Sequence, residues 1–211
     1  MINYSGFKNE YHSGKIHLYN GDCMDLLKQT PDKYYDLAIV DPPYGIGQPK
    51  QANLSGYKNR ESLDKRLQKN RLNSGCGKLK DRVLNQSNCE WDNNIPSDDY
   101  FKELFRVSKN QIIWGGNYFI DYLKPTQCFL IWDKMNGTNP MADAEFAWTS
   151  IENKVARIFR MHHFSDGYDD KIHPTQKPTK LYDWILKNFA KDGDLILDTH
   201  LGSGSSRIAA Y

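Results

Sequence analysis

The chain has 211 residues, of which 39% are hydrophobic and 13% aromatic, and its formal net charge is +2. This composition excludes an intrinsically disordered chain, and the length suits one α/β domain spanning residues 1–211. The N-terminal residues are polar, and no apolar run approaches the roughly 18 residues of a membrane span. We therefore expect a cytoplasmic protein that does not enter a membrane.

Short apolar runs alternate along the chain with stretches of helical periodicity. Strands are predicted at 15–20, 35–40, 111–114, 128–132, 155–160 and 195–198, and helices at 24–29, 98–108, 179–190 and 205–211. Strands that alternate with helices indicate parallel β-α-β units. The predicted fold class is therefore α/β, with a doubly wound and mostly parallel sheet.

Residues 46–89, here called the basic insert, interrupt this alternation. They carry ten Lys or Arg and three acids, a formal charge of +7 that leaves −5 on the rest of the chain. We expect a protruding or partly disordered loop that contacts nucleic acid, because a basic segment on an acidic body is typical of such contacts. The candidate DNA-binding residues are Lys58, Arg60, Lys65, Arg66, Lys69 and Arg71.

The strongest motif, Asp41-Pro42-Pro43-Tyr44, follows the predicted strand at 35–40. Ligands of open α/β sheets bind at the carboxyl ends of strands. Two prolines make a rigid loop rich in acceptors, which suits the holding of an amino group: the Asp41 carboxylate and the Pro42 carbonyl each accept one amino hydrogen, and Tyr44 stacks on the ring. The alternative interpretation is a structural Pro-Pro turn at a strand end.

An exocyclic amino nitrogen of adenine or cytosine is a poor nucleophile, because its lone pair is delocalised into the ring. Two fixed acceptors stabilise the positive charge that develops on this nitrogen when it attacks a methyl donor. A base inside a duplex cannot reach such a loop, so it must be flipped out at a cost of a few kcal/mol.

A second motif runs from Asp198 to Ser205, with a Gly202-Ser203-Gly204 turn before a predicted helix. Glycines allow a ligand to approach the backbone closely. A third glycine and a phosphate-binding lysine are both missing from this turn, so a ligand with an amino-acid end is favoured over a nucleotide phosphate.

A third motif, from His173 to Pro178, leads into the predicted helix at 179–190. Thr175 and Lys177 are candidates for holding a carboxylate beside Gly202. The alternative interpretation is a helix start and nothing more.

These motifs, in this order, resemble the amino-group DNA methyltransferases, in particular the circularly permuted group whose catalytic motif precedes the cofactor motif. His200-Leu201 departs from the commoner Pro-Phe pairing. The resemblance implies methyl transfer from S-adenosylmethionine to adenine N6 of double-stranded DNA, as expected of a restriction-modification methyltransferase. Adenine is favoured because N4-cytosine enzymes more often carry Ser at the position of Asp41, but N4-cytosine remains an alternative and RNA is not excluded. The implied cofactor-binding residues are Asp22, Cys23, Asp41, His173, Pro174, Thr175, Lys177, Asp198, Gly202, Ser203, Gly204 and Ser205.

Two departures from the family pattern matter. Only residues 161–172 are available where the family often has a target-recognition region, so we assign recognition to the basic insert. Only 13 residues follow Asp198, so the next strand and its ribose-binding acid are absent from the sequence. We therefore expect the sheet to lack one strand at its C-terminal end, and the exposed edge to offer a route to a homodimer. A catalytically weak DNA-binding remnant is the alternative of a different class.

The sequence predicts no metal site. The four cysteines are widely spaced, and the pair His162-His163 has no carboxylate or cysteine at the spacing of a metal ligand.

Neutralising Lys65, Arg66, Lys69 and Arg71 together is expected to weaken DNA binding and to flatten its dependence on salt, because fewer counterions are released. Equilibrium binding at several salt concentrations measures both effects. Unchanged binding contradicts the assignment of the basic insert.

Overall fold

The computed structural model describes residues 9–13, 15–47, 91–137, 142–162 and 175–211. The basic insert lies outside these residues except for Ile46 and Gly47, and all six candidate DNA-binding residues lie outside them. In chain order the elements are β1 (Asn9–Ser13), β2 (Ile16–Asn20), α1 (Cys23–Gln29), β3 (Tyr35–Val40), α2 (Asp98–Val107), β4 (Ser108–Trp114), a 3-10 turn (Gly116–Tyr118), β5 (Phe129–Asp133), β6 (Ala144–Thr149), β7 (Arg157–Arg160), α3 (Thr179–Phe189), β8 (Ile196–Leu197) and α4 (Ser205–Ala210).

Six strands form one sheet in the order β7-β5-β6-β4-β3-β8, and β1 and β2 form a separate antiparallel pair. β3 runs parallel to both β4 and β8, and β5 runs parallel to β7. β6 is antiparallel to its neighbours β4 and β5, so five strands share one direction and β6 alone is reversed. The predicted mostly parallel sheet is confirmed, whereas β1 and β6 were not predicted.

Helices cover both faces of the sheet, as a doubly wound fold requires. Leu37 and Ile39 point to the face covered by α3, whereas Ala38 and Val40 point to the face covered by α1 and α2. Because successive side chains of a strand alternate between faces, a strand buried on both sides reads as a continuous apolar run. This burial on both faces explains the continuous apolar run of β3, which Asp41 follows directly at the carboxyl end of the strand.

No helix in the described parts of the chain is long and apolar enough to cross a membrane. Within those same parts, no group of three or more His, Cys, Asp or Glu side chains is arranged to hold a metal ion.

Candidate active site

The first two motifs, which begin at Asp41 and Asp198, meet at the carboxyl ends of the parallel strands. β3 and β8 are adjacent parallel strands, with Ala38 opposite Leu197, so Asp41 and Asp198 follow neighbouring strand ends. The order of the strands reverses here, since β4 lies on one side of β3 and β8, which comes last in the chain, on the other. A crevice at such a switch point is the usual ligand site of open α/β sheets.

The Asp41 carboxylate is held by two partners. The Tyr44 hydroxyl donates to Asp41 Oδ1 at 2.6 Å, and Lys177 Nζ donates to Oδ2 at 2.5 Å. Lys177 Nζ also donates to the Tyr44 hydroxyl oxygen at 3.0 Å. The third motif therefore reaches the first one, and the ammonium of Lys177 lies on Asp41, a contact that the sequence did not predict.

A second carboxylate lies on the other side of Lys177. Glu145 Oε2 is 3.1 Å from Lys177 Nζ, and Glu145 Oε1 is 2.6 Å from Lys134 Nζ. Burial favours the neutral acid, but the two ammonium groups outweigh it and lower the pKa of Glu145 to about 2. Sequence reasoning missed both Glu145 and Lys134, which come from β6 and from the residue after β5.

Burial and charge act in opposite directions on Lys177, whose side chain is 3% exposed. Burial alone lowers the pKa of this amine, but the charges of Asp41 and Glu145 prevail and raise it above its ordinary value. Burial, together with the charges of Asp41 and Glu145, raises the pKa of the Tyr44 hydroxyl well above its ordinary value. Lys177 is therefore an ammonium and Tyr44 a neutral hydroxyl at neutral pH.

Asp92 fixes the backbone of the loop after Asp41. Its Oδ1 accepts hydrogen bonds from the backbone N–H groups of Tyr44, at 2.7 Å, and Gly45, at 3.1 Å, and its backbone oxygen accepts one from Gly47. Asp92 is only 2% exposed, so these bonds are shielded from water. It was not predicted, because it follows the basic insert and lies far from Tyr44 in the sequence.

The Tyr44 ring fits into a gap left by a glycine. It stacks on Tyr118 with ring centroids 5.0 Å apart and an interplanar angle of 19°, and Phe119 contacts it edge-on. Gly115 has φ of 72°, and a Cβ there would lie 2.2 Å from the Tyr44 ring. The stacking of Tyr44 on a base stays a prediction, since in the structure its ring packs on an aromatic side chain of its own chain.

The glycine-rich turn after β8 leaves open space beside its backbone. Gly202 and Gly204 have φ of 54° and 76°; a Cβ on Gly204 would meet nothing within 4 Å, and one on Gly202 only the His200 oxygen at 3.8 Å. Ser203 and Ser205 share a hydrogen bond of 2.9 Å between their hydroxyls. A ligand can approach the backbone at this turn, as the sequence suggested.

The Asp198 carboxylate is directed inward. Its Oδ1 accepts from the His200 backbone N–H at 3.0 Å and its Oδ2 from the Ser206 hydroxyl at 2.5 Å. Burial is the largest cause that raises the pKa of Asp198 to about 6, and the charge of Asp41 adds to it. The charge of Asp41 therefore reaches Asp198 across the neighbouring strand ends.

Of the remaining predicted cofactor-binding residues, Asp22, Cys23 and Thr175 are among the described residues and two others are not. Asp22 caps α1 by accepting from the Met24 N–H at 2.9 Å, and its charge acts on His200 in the glycine-rich turn. Cys23 is partly buried, and burial raises the pKa of its thiol to about 11. Thr175 lies in the turn before α3 and is partly buried, whereas His173 and Pro174 lie outside the described residues.

Residues 35–211 match the sequence model of the N6/N4 methyltransferase family, described as DNA methylase. The chain belongs to this family. It is also similar to two type II methyltransferases, each 23% identical. Alignment with M.BglII of Bacillus subtilis covers 94% of this chain and 62% of that protein, and alignment with M2.DpnII of Streptococcus pneumoniae covers 96% and 83%. The chain thus spans less than two thirds of the length of the Bacillus relative.

Two solved structures are similar to the chain. The complex of M1.HpyAVI with S-adenosylmethionine is 16% identical, with a TM-score of 0.49 over 91% of this chain and 85% of that one. The putative DNA modification methylase TTHA0409 of Thermus thermophilus, as its selenomethionine derivative, is 16% identical, with a TM-score of 0.45 over 90% and 82%.

Gly115→Ala is expected to lower the free energy of unfolding by about 1–3 kcal/mol more than Gly137→Ala does. Both residues have positive φ, but only the Gly115 methyl would meet the Tyr44 ring, which its hydrogen bonds hold in place. Gly137 has nothing within 4 Å of its Cβ position and is the matched control for the cost of φ alone. Urea denaturation measures the difference, and equal losses contradict the close packing at Gly115.

Proposed function

We propose that the chain is a DNA methyltransferase that moves a methyl group from S-adenosylmethionine to N6 of a flipped-out adenine. The observation that carries the proposal is the position of the Asp41 carboxylate, fixed at the carboxyl end of β3 beside the open glycine-rich turn that follows β8. Membership of a DNA methylase family supports the same reaction.

Asp41 is suited to receive an amino group. A carboxylate offers about four lone-pair positions, and Tyr44 and Lys177 use one on each oxygen. The remaining positions can accept a hydrogen of the base, and the Pro42 carbonyl is proposed to accept the other. These two acceptors would stabilise the positive charge that grows on the nitrogen as it binds the methyl carbon and before it loses a proton.

The residues at the glycine-rich turn fit the cofactor. The open space at Gly202 and Gly204 would accommodate its amino-acid end, and Asp198, Ser203 and Ser205 line the same turn. Asp22 and Cys23 are proposed to lie beside the rest of the ligand, since the charge of Asp22 already acts on His200. When bound, S-adenosylmethionine supplies an electrophilic methyl group on a sulfonium. The chain's own residues then bind, orient and exclude water around the two reactants.

Adenine is proposed over cytosine because Asp41, rather than Ser, opens the catalytic motif. The proposed partner is double-stranded DNA, which the basic insert would contact through its excess positive charge. Nucleoside analysis after transfer of a labelled methyl group distinguishes N6-methyladenine from N4-methylcytosine. The same assay on RNA tests the choice of nucleic acid.

Asp41→Ala is expected to reduce methyl transfer at least about 100-fold, because it removes an acceptor that acts in the transition state. The fold is expected to persist, since Lys177 keeps Glu145 as a partner. Labelled-methyl transfer is compared with Asp133→Ala, which removes another carboxylate from a strand end of the same sheet edge. Retained methyl transfer in Asp41→Ala would contradict the proposed role of Asp41.

Tyr44→Ala is expected to weaken binding of the flipped base, since stacking on one base contributes about 1–3 kcal/mol. Tyr44→Phe keeps the ring and should bind more tightly than Tyr44→Ala, although it loses the hydroxyl that donates to Asp41. Fluorescence of 2-aminopurine at the target position reports the flipped base. Equal losses in both variants would show that the hydroxyl matters and the ring does not.

A further inference from the structure

We propose that Glu145 is a positioning residue for methyl transfer: by pairing with Lys177, it fixes that ammonium on the Asp41 carboxylate. The inference rests on the proposed function, because it assigns a role in the reaction of that same site. Neither Glu145 nor Lys134 belongs to a motif that the sequence offered.

Four charged side chains form a continuous line of contacts that ends at Asp41. Lys134 contacts Glu145 at 2.6 Å, Glu145 contacts Lys177 at 3.1 Å, and Lys177 contacts Asp41 at 2.5 Å. Their side chains are 17%, 23%, 3% and 20% exposed, in that order. The signs alternate and the sum is zero, so the line does not leave a net charge in the interior.

Among the described residues, three oxygens lie within 3.1 Å of Lys177 Nζ, one each from Asp41, Tyr44 and Glu145. Asp41 and Tyr44 accept hydrogen bonds, whereas Glu145 Oε2 contacts the ammonium as an ion pair without hydrogen-bond geometry. The rings of Tyr44 and Trp114 lie 5.5 and 5.3 Å from the same nitrogen. The position of the ammonium is therefore fixed from three directions, and Glu145 supplies the one that does not belong to the Asp41–Tyr44 loop.

A Lys177–Asp41 pair alone would already neutralise the buried ammonium. The additional carboxylate of Glu145 shares that positive charge, which leaves more of the negative charge of Asp41 available to the amino group of the base. Without Glu145, Asp41 would be the one carboxylate among the described residues that contacts the ammonium, and the ammonium would be free to shift further towards it. The expected consequence is a slower reaction with unchanged binding of DNA and cofactor, since only the position of the ammonium and the acceptor strength of Asp41 change.

The charge of Glu145 also sets the pH range in which Lys177 stays protonated. The ionisable groups that face Lys177 are Asp41 and Tyr44 from the loop after β3, Glu145 from β6, Tyr182 from α3 and Asp198 after β8, with Lys134 beyond Glu145. The pKa of Lys177 is raised, so the ammonium is present at neutral pH and the pair is lost as pH rises through that pKa. Removing the charge of Glu145 lowers this pKa and moves the loss to lower pH.

The test compares Glu145→Gln with the unmodified chain in steady-state methyl transfer across pH. We expect kcat to fall about 10- to 100-fold, as for a misplaced reacting group, with KM for S-adenosylmethionine and the Kd for DNA unchanged. The alkaline limb of the kcat profile should move to lower pH. Glu145→Asp keeps the charge and should keep the alkaline limb in place.

Asp183→Asn is the matched control, because Asp183 pairs with Lys187 at 2.7 Å on the exposed face of α3. It should change neither kcat nor the pH profile. Lys134→Gln is a second variant, whose result does not depend on whether Glu145→Gln folds. It removes the other ammonium that contacts Glu145, so Glu145 stabilises the charge of Lys177 more strongly. The alkaline limb of the kcat profile should therefore move to higher pH. A lower kcat with an unmoved pH profile, or a wild-type kcat in Glu145→Gln, overturns the inference.

Nitrogen-15 NMR of the lysine side chains separates this inference from the proposed function. The Lys177 signal should titrate at lower pH in Glu145→Gln than in the unmodified chain, whether or not methyl transfer occurs. Absence of methyl transfer by the unmodified chain overturns the proposed function. Transfer by the unmodified chain together with an unmoved Lys177 titration overturns only the role of Glu145.

Discussion

The arrangement of the candidate site at the carboxyl ends of the strands depends on the burial of one positive charge. The ammonium of Lys177 is 3% exposed, and an unpaired charge in such a position would be shifted to its neutral form or would destabilise the fold. Its partners come from separate parts of the chain, the loop after β3 and the strand β6. Pairing this one amine therefore fixes how the segment before α3 meets the sheet.

The reversed strand explains how Glu145 reaches the site. Glu145 is the second residue of β6, at the amino end of that strand. Because β6 runs antiparallel to β5, its first residues lie opposite Trp132 and Asp133, at the carboxyl ends of the other strands. A parallel strand in the same position would place its first residues at the far edge. The antiparallel strand β6 thus places a carboxylate from its amino end beside the residues that follow the carboxyl ends of the other strands.

The sequence predicted what is local and missed what is not. The apolar run of β3, the loop that begins at Asp41 and the glycine turn at Gly202 all have signals within a few residues. Glu145 gives no such signal, since one acid in a short apolar segment looks like a surface residue and β6 was not predicted. The bond from Tyr44 to Asp92 spans 48 residues, so only the fold reveals it. Lys177 was singled out as a candidate site residue, but spacing alone did not show that Asp41 would be its partner.

The contacts of Asp41 explain how one carboxylate can be firmly held and still act as an acceptor. Tyr44 and Lys177 bind different oxygens, so among the described residues each oxygen has one hydrogen-bond donor and keeps a lone pair. The same two bonds restrict rotation of the carboxylate, which would remove an entropy cost on binding of the proposed base. The disadvantage of this arrangement is that Lys177 partly neutralises the charge of Asp41 and so weakens it as an acceptor. This weakening is smaller because Glu145 also interacts with Lys177. Rigid positioning and acceptor strength are thus reconciled only while both carboxylates hold the same ammonium.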